Sequence, residues 1–325
     1  MGKRSSGYDT IPPAMGGFLG ALGIALVGVV LYGLASKVDS QYGWAVFVGL
    51  PIVLGFACAW IVSPTGELTY RACAATTMWA LLFTSLGLVC LAWEGIVCLL
   101  MAAPLEIPLA LLGAGLGFAM RRGMGKGHDH RASVTLVVGM FPLLLSSEVA
   151  APPGFVEHSE STTIVIDAPP EKVWPYVGSL ENLPPAKEWL FRAGIAHPMR
   201  VDLPEPWVGG RRYCRLSTGD MPERVEVIEP NLRFAFRVLS TPEAMRETSP
   251  WGDIHPAHLK GYFESRRGEF DLERLSGGRT RLIGTSWYAS RIAPDPYWSI
   301  WTSAIIEQVH QRVMREIKLR AERLR

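Results

Sequence analysis

Charge is nearly missing from the first third of this chain. Between Pro13 and Ala119 the only Lys, Arg, Asp or Glu residues are Lys37, Asp39, Glu67, Arg71, Glu94 and Glu106. An ordinary water-soluble core is excluded there, because such a domain needs a charged outer surface. Cysteine is scarce as well. Cys58, Cys73, Cys90 and Cys98 lie in or beside the apolar stretches, which leaves Cys214 alone in the charged remainder and excludes a disulfide framework within it. The chain also lacks a phosphate-cradling glycine loop, a dinucleotide fingerprint and a nucleophile motif. Net charge is only +2, and neither a nucleic-acid partner nor a cofactor is expected.

What the first half has instead is apolar runs of membrane length. Residues 13–35 and 43–63 each supply the ~20 residues needed to cross a bilayer core. The first is too long for the apolar part of a signal peptide, and the second follows at once. Residues 73–93 make a third span and 95–120 a fourth, which carries Glu106 between Pro104 and Pro108. The run 133–147 holds Pro142 and is marginal in length, so it either crosses or dips.

Basic residues collect in "MGKRSS" at the N-terminus and in "MRRGMGKGHDHR" from Met120 to Arg131. Both flanks belong on the cytoplasmic side, and four spans join them consistently. Residues 1–150 are therefore expected to form a helical bundle of about five spans in the cell (inner) membrane. That places the following domain outside the cytoplasm; a dip at 133–147 would leave it inside.

Within this half, Glu106 is a candidate for a transport or ligand role because a charge near mid-span is costly. The local alternative is a protonated side chain that satisfies backbone groups freed by the two prolines. Gly16/Gly20 and Gly113/Gly117 have the four-residue spacing that permits close helix approach. His128 and His130 in "GHDHR" either ligate a metal or are solvated.

From Ala150 onward charge returns and the pattern becomes that of strands. "TTIVIDA" is a β-branched run, and "PPEKVWPYV" places prolines where a helix start tolerates them, with Val173, Trp174 and Val177 on one stripe. Residues 211–218, 223–229 and 232–239 alternate with a two-residue period. Longer strands at 261–272 and 279–290 are joined through Ser276-Gly277-Gly278 as a hairpin. From Asp295 to about Arg323, Trp298, Trp301, Ile305, Val309, Val313 and Ile317 recur at helical spacing and must lie against the sheet.

The order of strand, "DAPPEKVW" helix start, antiparallel meander, "GGRTRL…W" strand and long terminal helix resembles the START/Bet v 1 helix-grip superfamily, which includes polyketide cyclase/dehydrase-like proteins. The likeness covers about Ser161 to Leu324, inside a domain read as 155–325. It implies an α+β fold, an antiparallel sheet wrapped on a C-terminal helix around a ligand cavity. It leaves the reaction open, since members bind lipids, sterols, polyketides or hormones and only some are enzymes.

Alternation in 261–272, taken from Phe270 and Leu272, sends Tyr262, Glu264 and Arg266 inward. Glu264 and Arg266 then either neutralise each other or grip a polar ligand group, unless a slip at Gly268 turns both outward. Trp174, Trp189, Phe191, Tyr288, Trp298 and Trp301 are candidates for the facing wall or for plain core. Tyr288 could donate to a ligand oxygen, and His310 sits at the edge of the helix stripe. Asp253, His255 and His258 offer three ligand types in six residues, but no helix fixes their spacing, so no metal site is expected.

Three functional classes follow. The first is a bilayer-anchored protein that binds or transfers a lipid or other hydrophobic small molecule. The second is an enzyme of cyclase or dehydratase type on a hydrophobic substrate, and the third is a membrane scaffold or sensor. The sequence fixes neither the ligand nor the oligomeric state.

Overall fold

The computed structural model describes residues 13–38, 42–61, 69–124, 131–247 and 249–323. The expected basic flank at Lys3/Arg4 and the pair His128/His130 lie outside these residues. The chain divides into two compact units, Met1–Pro152 and Pro153–Arg325.

The first unit is helical: α1 (Pro13–Gly33, continued by a π-helical turn Leu34–Val38), α2 (Leu50–Ile61, entered through a π-helical turn Ala45–Gly49), α3 (Tyr70–Cys90), α4 (Ile96–Met124) and α5 (Arg131–Ala150). Four helical segments are long and apolar enough to cross a membrane: Gly17–Ser36, Tyr70–Cys90, Ile96–Gly123 and Arg131–Ala150. The balance differs from the expectation at two places. The marginal run around Pro142 is a continuous helix of 20 residues, whereas Ala45–Ile61 falls short of that length.

Polar side chains knit these helices. The Glu148 carboxylate of α5 accepts the Trp44 and Ala45 backbone N–H groups at the start of the α2 segment, where N–H groups lack intrahelical partners. Glu94, just before α4, accepts the hydroxyls of Tyr32 and Tyr42. A Cβ on Gly55 would strike the Ala110 carbonyl, and one on Gly113 would strike that of Ile52, so α2 and α4 approach backbone to backbone. Glu106 is half-buried on α4, which continues through both flanking prolines.

The second unit is α+β. Its strands are β1 (Val156–Ile166), β2 (Pro198–Asp202), β3 (Arg211–Leu216), β4 (Gly219–Glu229), β5 (Arg233–Val238), β6 (Phe263–Leu275) and β7 (Arg279–Ser290). They form one antiparallel sheet in the order β1-β7-β6-β5-β4-β3-β2. Between β1 and β2 lie three single-turn helices, α6 (Pro170–Val173), α7 (Pro175–Gly178) and α8 (Trp189–Arg192). Pro175 divides the expected helix start into α6 and α7, because proline brings no N–H to the helix ladder.

The chain closes with α9 (Asp295–Arg323), whose acidic first turn and basic last turn suit the helix dipole. It runs along β1 in the same direction. Asp295 meets His158, His310 meets Thr162, the Lys318 ammonium donates to the Val165 carbonyl at 2.7 Å, and Glu322 accepts the Asp167 N–H at 2.7 Å.

Candidate functional site

The inward face of the sheet carries a continuous apolar core at one end. There Ile166, Val225, Phe234, Phe270, Leu272 and Leu282 pack with Met314, Ile317 and Ala321 of α9 into one core. Toward the start of α9 the packing thins. No residue from Asp295 to Val309 is fully withdrawn from water, although Trp298, Trp301, Ile305 and Val309 carry the same apolar stripe. The stripe is thus half-buried along this part of the helix and fully buried only in its last turns.

Polar groups are spaced along this thinly packed end. His310 is buried between Thr162 Oγ1 at 3.0 Å from Nδ1 and Ser286 Oγ at 2.8 Å from Nε2, so one residue ties β1, β7 and α9 together. Burial pushes its imidazole down to about 4, which keeps it neutral near pH 7. Tyr288 is buried, its hydroxyl 3.2 Å from Ser303 Oγ of α9. Burial holds the phenol above its ordinary range, against a smaller opposing effect of the Ser303 bond, so it stays a neutral hydroxyl. His158 is the cross-strand partner of Tyr288 and stacks on its ring, centroids 5.3 Å apart. Its Nε2 lies 2.8 Å from Asp295 Oδ1, the first residue of α9.

The expected inward pair is not where alternation put it. A bulge between Ser265 and Arg267 shifts the β6 register, so that Ser265 and Phe263 oppose Tyr288 and Ser290 while Glu264 opposes Ala289. Phe263 and Ser265 therefore share the Tyr288 face. Glu264 and Arg266 do pair with each other, but with 36% and 43% of their side chains exposed, and Arg266 also lies near Glu157 and over the Phe155 ring. The slip occurs at Arg266, two residues from Gly268. Tyr262 is buried under the Arg291 guanidinium, 4.5 Å from its ring centre.

The tryptophans part company. Trp174 packs edge-on to Phe234 at the rim of the filled core. Trp189 is 67% exposed on α8. Trp298 and Trp301 are half-buried on the thinly packed half of α9. Phe191 is core, its ring 5.0 Å from His197. In the long β5–β6 connection, His255 Nδ1 sits 2.9 Å from Glu243 and His258 Nε2 is 3.9 Å from Glu247. Asp253 and His255 join no cluster of three potential ligands among the described residues.

The sheet does bury an inward ion pair, on other strands. Arg212 of β3 and Glu223 of β4 are cross-strand partners, with 4% and 0% of their side chains exposed. Arg212 also donates through Nε to the Gly178 carbonyl at 2.9 Å and lies over the Phe236 ring. Burial raises the Glu223 carboxyl, opposed by Arg212, and burial with Glu223 nearby pushes Cys214 up to about 12. The signal was present in "RRYCRLSTGDMPERVEV": a tight turn at Ser217-Thr218 aligns the two residues on the face that holds Cys214 and Val225. Arg312 of α9, also buried, donates to the Pro198 and Pro184 carbonyls.

Residues 157–292 match the family described as polyketide cyclase / dehydrase and lipid transport. The match falls inside the second unit and accords with the START/Bet v 1-like resemblance read from the sequence there. Among solved structures, it is similar to the Zhui aromatase/cyclase from Streptomyces sp. R1128, at 18% identity over 52% of this chain and 95% of that one, with a TM-score of 0.34. A START superfamily protein from Mycobacterium smegmatis aligns at 12% identity over 53% and 100% of the two chains, with a TM-score of 0.33. The protein MLL2253 from Mesorhizobium loti aligns at 18% over 51% and 98%, with a TM-score of 0.32. No curated protein matches the chain in sequence.

Proposed function

We propose that this is a bilayer-anchored protein whose C-terminal domain binds, and passes on, a lipid or other hydrophobic small molecule. The observation that carries the reading is the incomplete cover of Trp298, Trp301, Ile305 and Val309 over the inward sheet face, beside a core that is complete at the other end of the same helix. Anchoring by the apolar helices of the first unit keeps the domain next to the phase in which such ligands dissolve, at high effective concentration. Mass spectrometry of organic extracts from the purified full chain tests this. A recurrent hydrophobic molecule, lost in an Ile305→Arg variant that still folds, is expected. The same extract from both proteins would count against the site.

A second reading, an enzyme of cyclase or dehydratase type, is favoured by one arrangement: an imidazole held by a carboxylate, His158 and Asp295, at the half-buried end of α9.

A further inference from the structure

Five arginines of the second unit lie over aromatic rings among the described residues. Four of them also meet a carboxylate: Arg212 has Glu223, Arg215 has Asp202 and Asp220, Arg266 has Glu264 and Glu157, and Arg267 has Glu226 and Glu269. Arg291 differs. Its guanidinium lies over two rings at once, 4.5 Å from the centre of Tyr262 and 5.6 Å from that of Phe155, and it makes no ion pair among the described residues. Its Nε is buried without a hydrogen-bond partner, and its backbone N–H donates to the Tyr262 carbonyl at 3.0 Å.

This guanidinium belongs to the outer side of the sheet. His158 and Thr162 of β1 reach α9, and the alternation of a strand sends Phe155 and Glu157 the opposite way, where both meet Arg266. Aromatic faces attract a cation but carry no net negative charge, so the two rings hold Arg291 in place and leave its charge unmatched. An arginine fork matches the oxygens of a phosphate. Phe155 keeps 36% of its surface open, so an apolar ring stands in water next to two cations, a composition that settles at a bilayer surface. The chain also reaches this point directly from α5: only residues 151–154 separate Ala150 from Phe155, and the whole step spans at most about 18 Å when extended.

We propose that Arg291 binds the phosphate of an anionic phospholipid headgroup, with the Phe155 ring dipping into the bilayer beside it and Arg266 as the neighbouring cation. This corner of the sheet, at the start of β1, is then a second attachment to the bilayer besides the apolar helices. A free phosphate ion would match the guanidinium but leave the Phe155 ring in water, whereas a headgroup in its bilayer engages both. Arg266 keeps its own carboxylates, Glu264 and Glu157, so the charge offered to the lipid is chiefly that of Arg291. The inference rests on the bilayer-anchored reading and is independent of any molecule held inside the domain.

The test uses the full chain in lipid nanodiscs and phenylglyoxal, which modifies guanidinium groups, with each modified residue mapped by mass spectrometry. Arg291 is expected to react about fivefold more slowly in discs containing phosphatidylglycerol than in discs of phosphatidylcholine, the factor that one basic group gains at an anionic surface. Arg200 is 53% exposed on β2, at the opposite edge of the sheet from β1, and should react alike in both discs. Glycerol phosphate added to the phosphatidylcholine discs should not reproduce the protection. Arg266 should be protected together with Arg291, and in Arg291→Gln its protection should be lost. Where that variant fails to fold, the wild-type pattern decides alone. Equal reactivity of Arg291 in both discs, equal protection by free glycerol phosphate, or protection of Arg266 that survives Arg291→Gln overturns the inference. A chain that enters the discs with Arg291 equally reactive keeps its anchor and loses only the docking site, whereas a chain that elutes apart from the discs loses both.

Discussion

Arg212 and Glu223 face each other across β3 and β4 as direct cross-strand partners, and both are shut off from water on the inward side of the sheet. Taking two charges out of water is expensive, and their attraction offsets that cost only while both are present. Arg212→Met is therefore expected to lower unfolding stability by about 3–5 kcal/mol, less if Glu223 takes up a proton. The double change Arg212→Met with Glu223→Gln should recover much of the loss. Thermal unfolding followed by tryptophan fluorescence checks this, and a double variant no better than Arg212→Met would show that the pair is not coupled.

The exposed pair on β6 should behave oppositely. Glu264 and Arg266 each keep more than a third of the side chain in water, where ion pairs contribute roughly 0–1 kcal/mol. Arg266→Met and Glu264→Gln are each expected to stay within about 1 kcal/mol of the wild type and to leave bound ligand unchanged. A large loss from either would mean that the bulge does not persist in solution.

Acid should loosen the domain through His310. Its imidazole is held at about 4 in the fold, against an ordinary 6.5 once unfolded. Between these values the unfolded chain binds a proton that the folded chain does not, so stability falls as pH drops from about 6.5 to about 4 and levels off below. The full effect is of the order of 3 kcal/mol. Unfolding midpoints measured across this range should show the slope, and His310→Gln should flatten it. An identical slope in that variant would assign the acid sensitivity elsewhere.

Topology offers a prediction independent of the site. If all five helices of the first unit cross, the basic flanks place Cys214 and the whole sheet outside the cytoplasm. A reporter that works only after export, fused beyond Arg325, is expected to be active. Activity from a cytoplasm-only reporter instead would make one helix a non-crossing segment, with Ala45–Ile61 the first candidate by its length.

The parts legible in the sequence were those with a strong period. The α9 stripe runs from Asp295 as its spacing implied, and β7 spans residues 279–290 as alternation and the Ser276-Gly277-Gly278 turn required. What stayed hidden were departures from period. A bulge at Arg266 adds one residue to β6 and reverses every face assignment before it, and alternation carries no mark of such an insertion. The edge strand β2, "PMRVD", is too short to show a pattern. His158 and Asp295 lie 137 positions apart in sequence, so their bond is a property of the fold alone. Arg212 and Glu223 were within reach, because one tight turn fixes their register. Their charges suggested solvent, and only the buried cysteine and valine beside them say otherwise.

The uneven cover of α9 also sets how the domain opens. Its last turns are held by Met314, Ile317 and Ala321 in the core and by Arg312 on two loop carbonyls, whereas its first four turns bond to His158 and Tyr288 and bury no residue fully. Local opening free energy rises along such a helix from its mobile end to its fixed end. Amide hydrogens early in α9 should exchange through partial opening, and those after His310 only when the whole domain unfolds. Opening of that kind would make the helix a gate that turns about His310. A guest could then enter or leave the interior while the sheet and the far end of the helix remain folded.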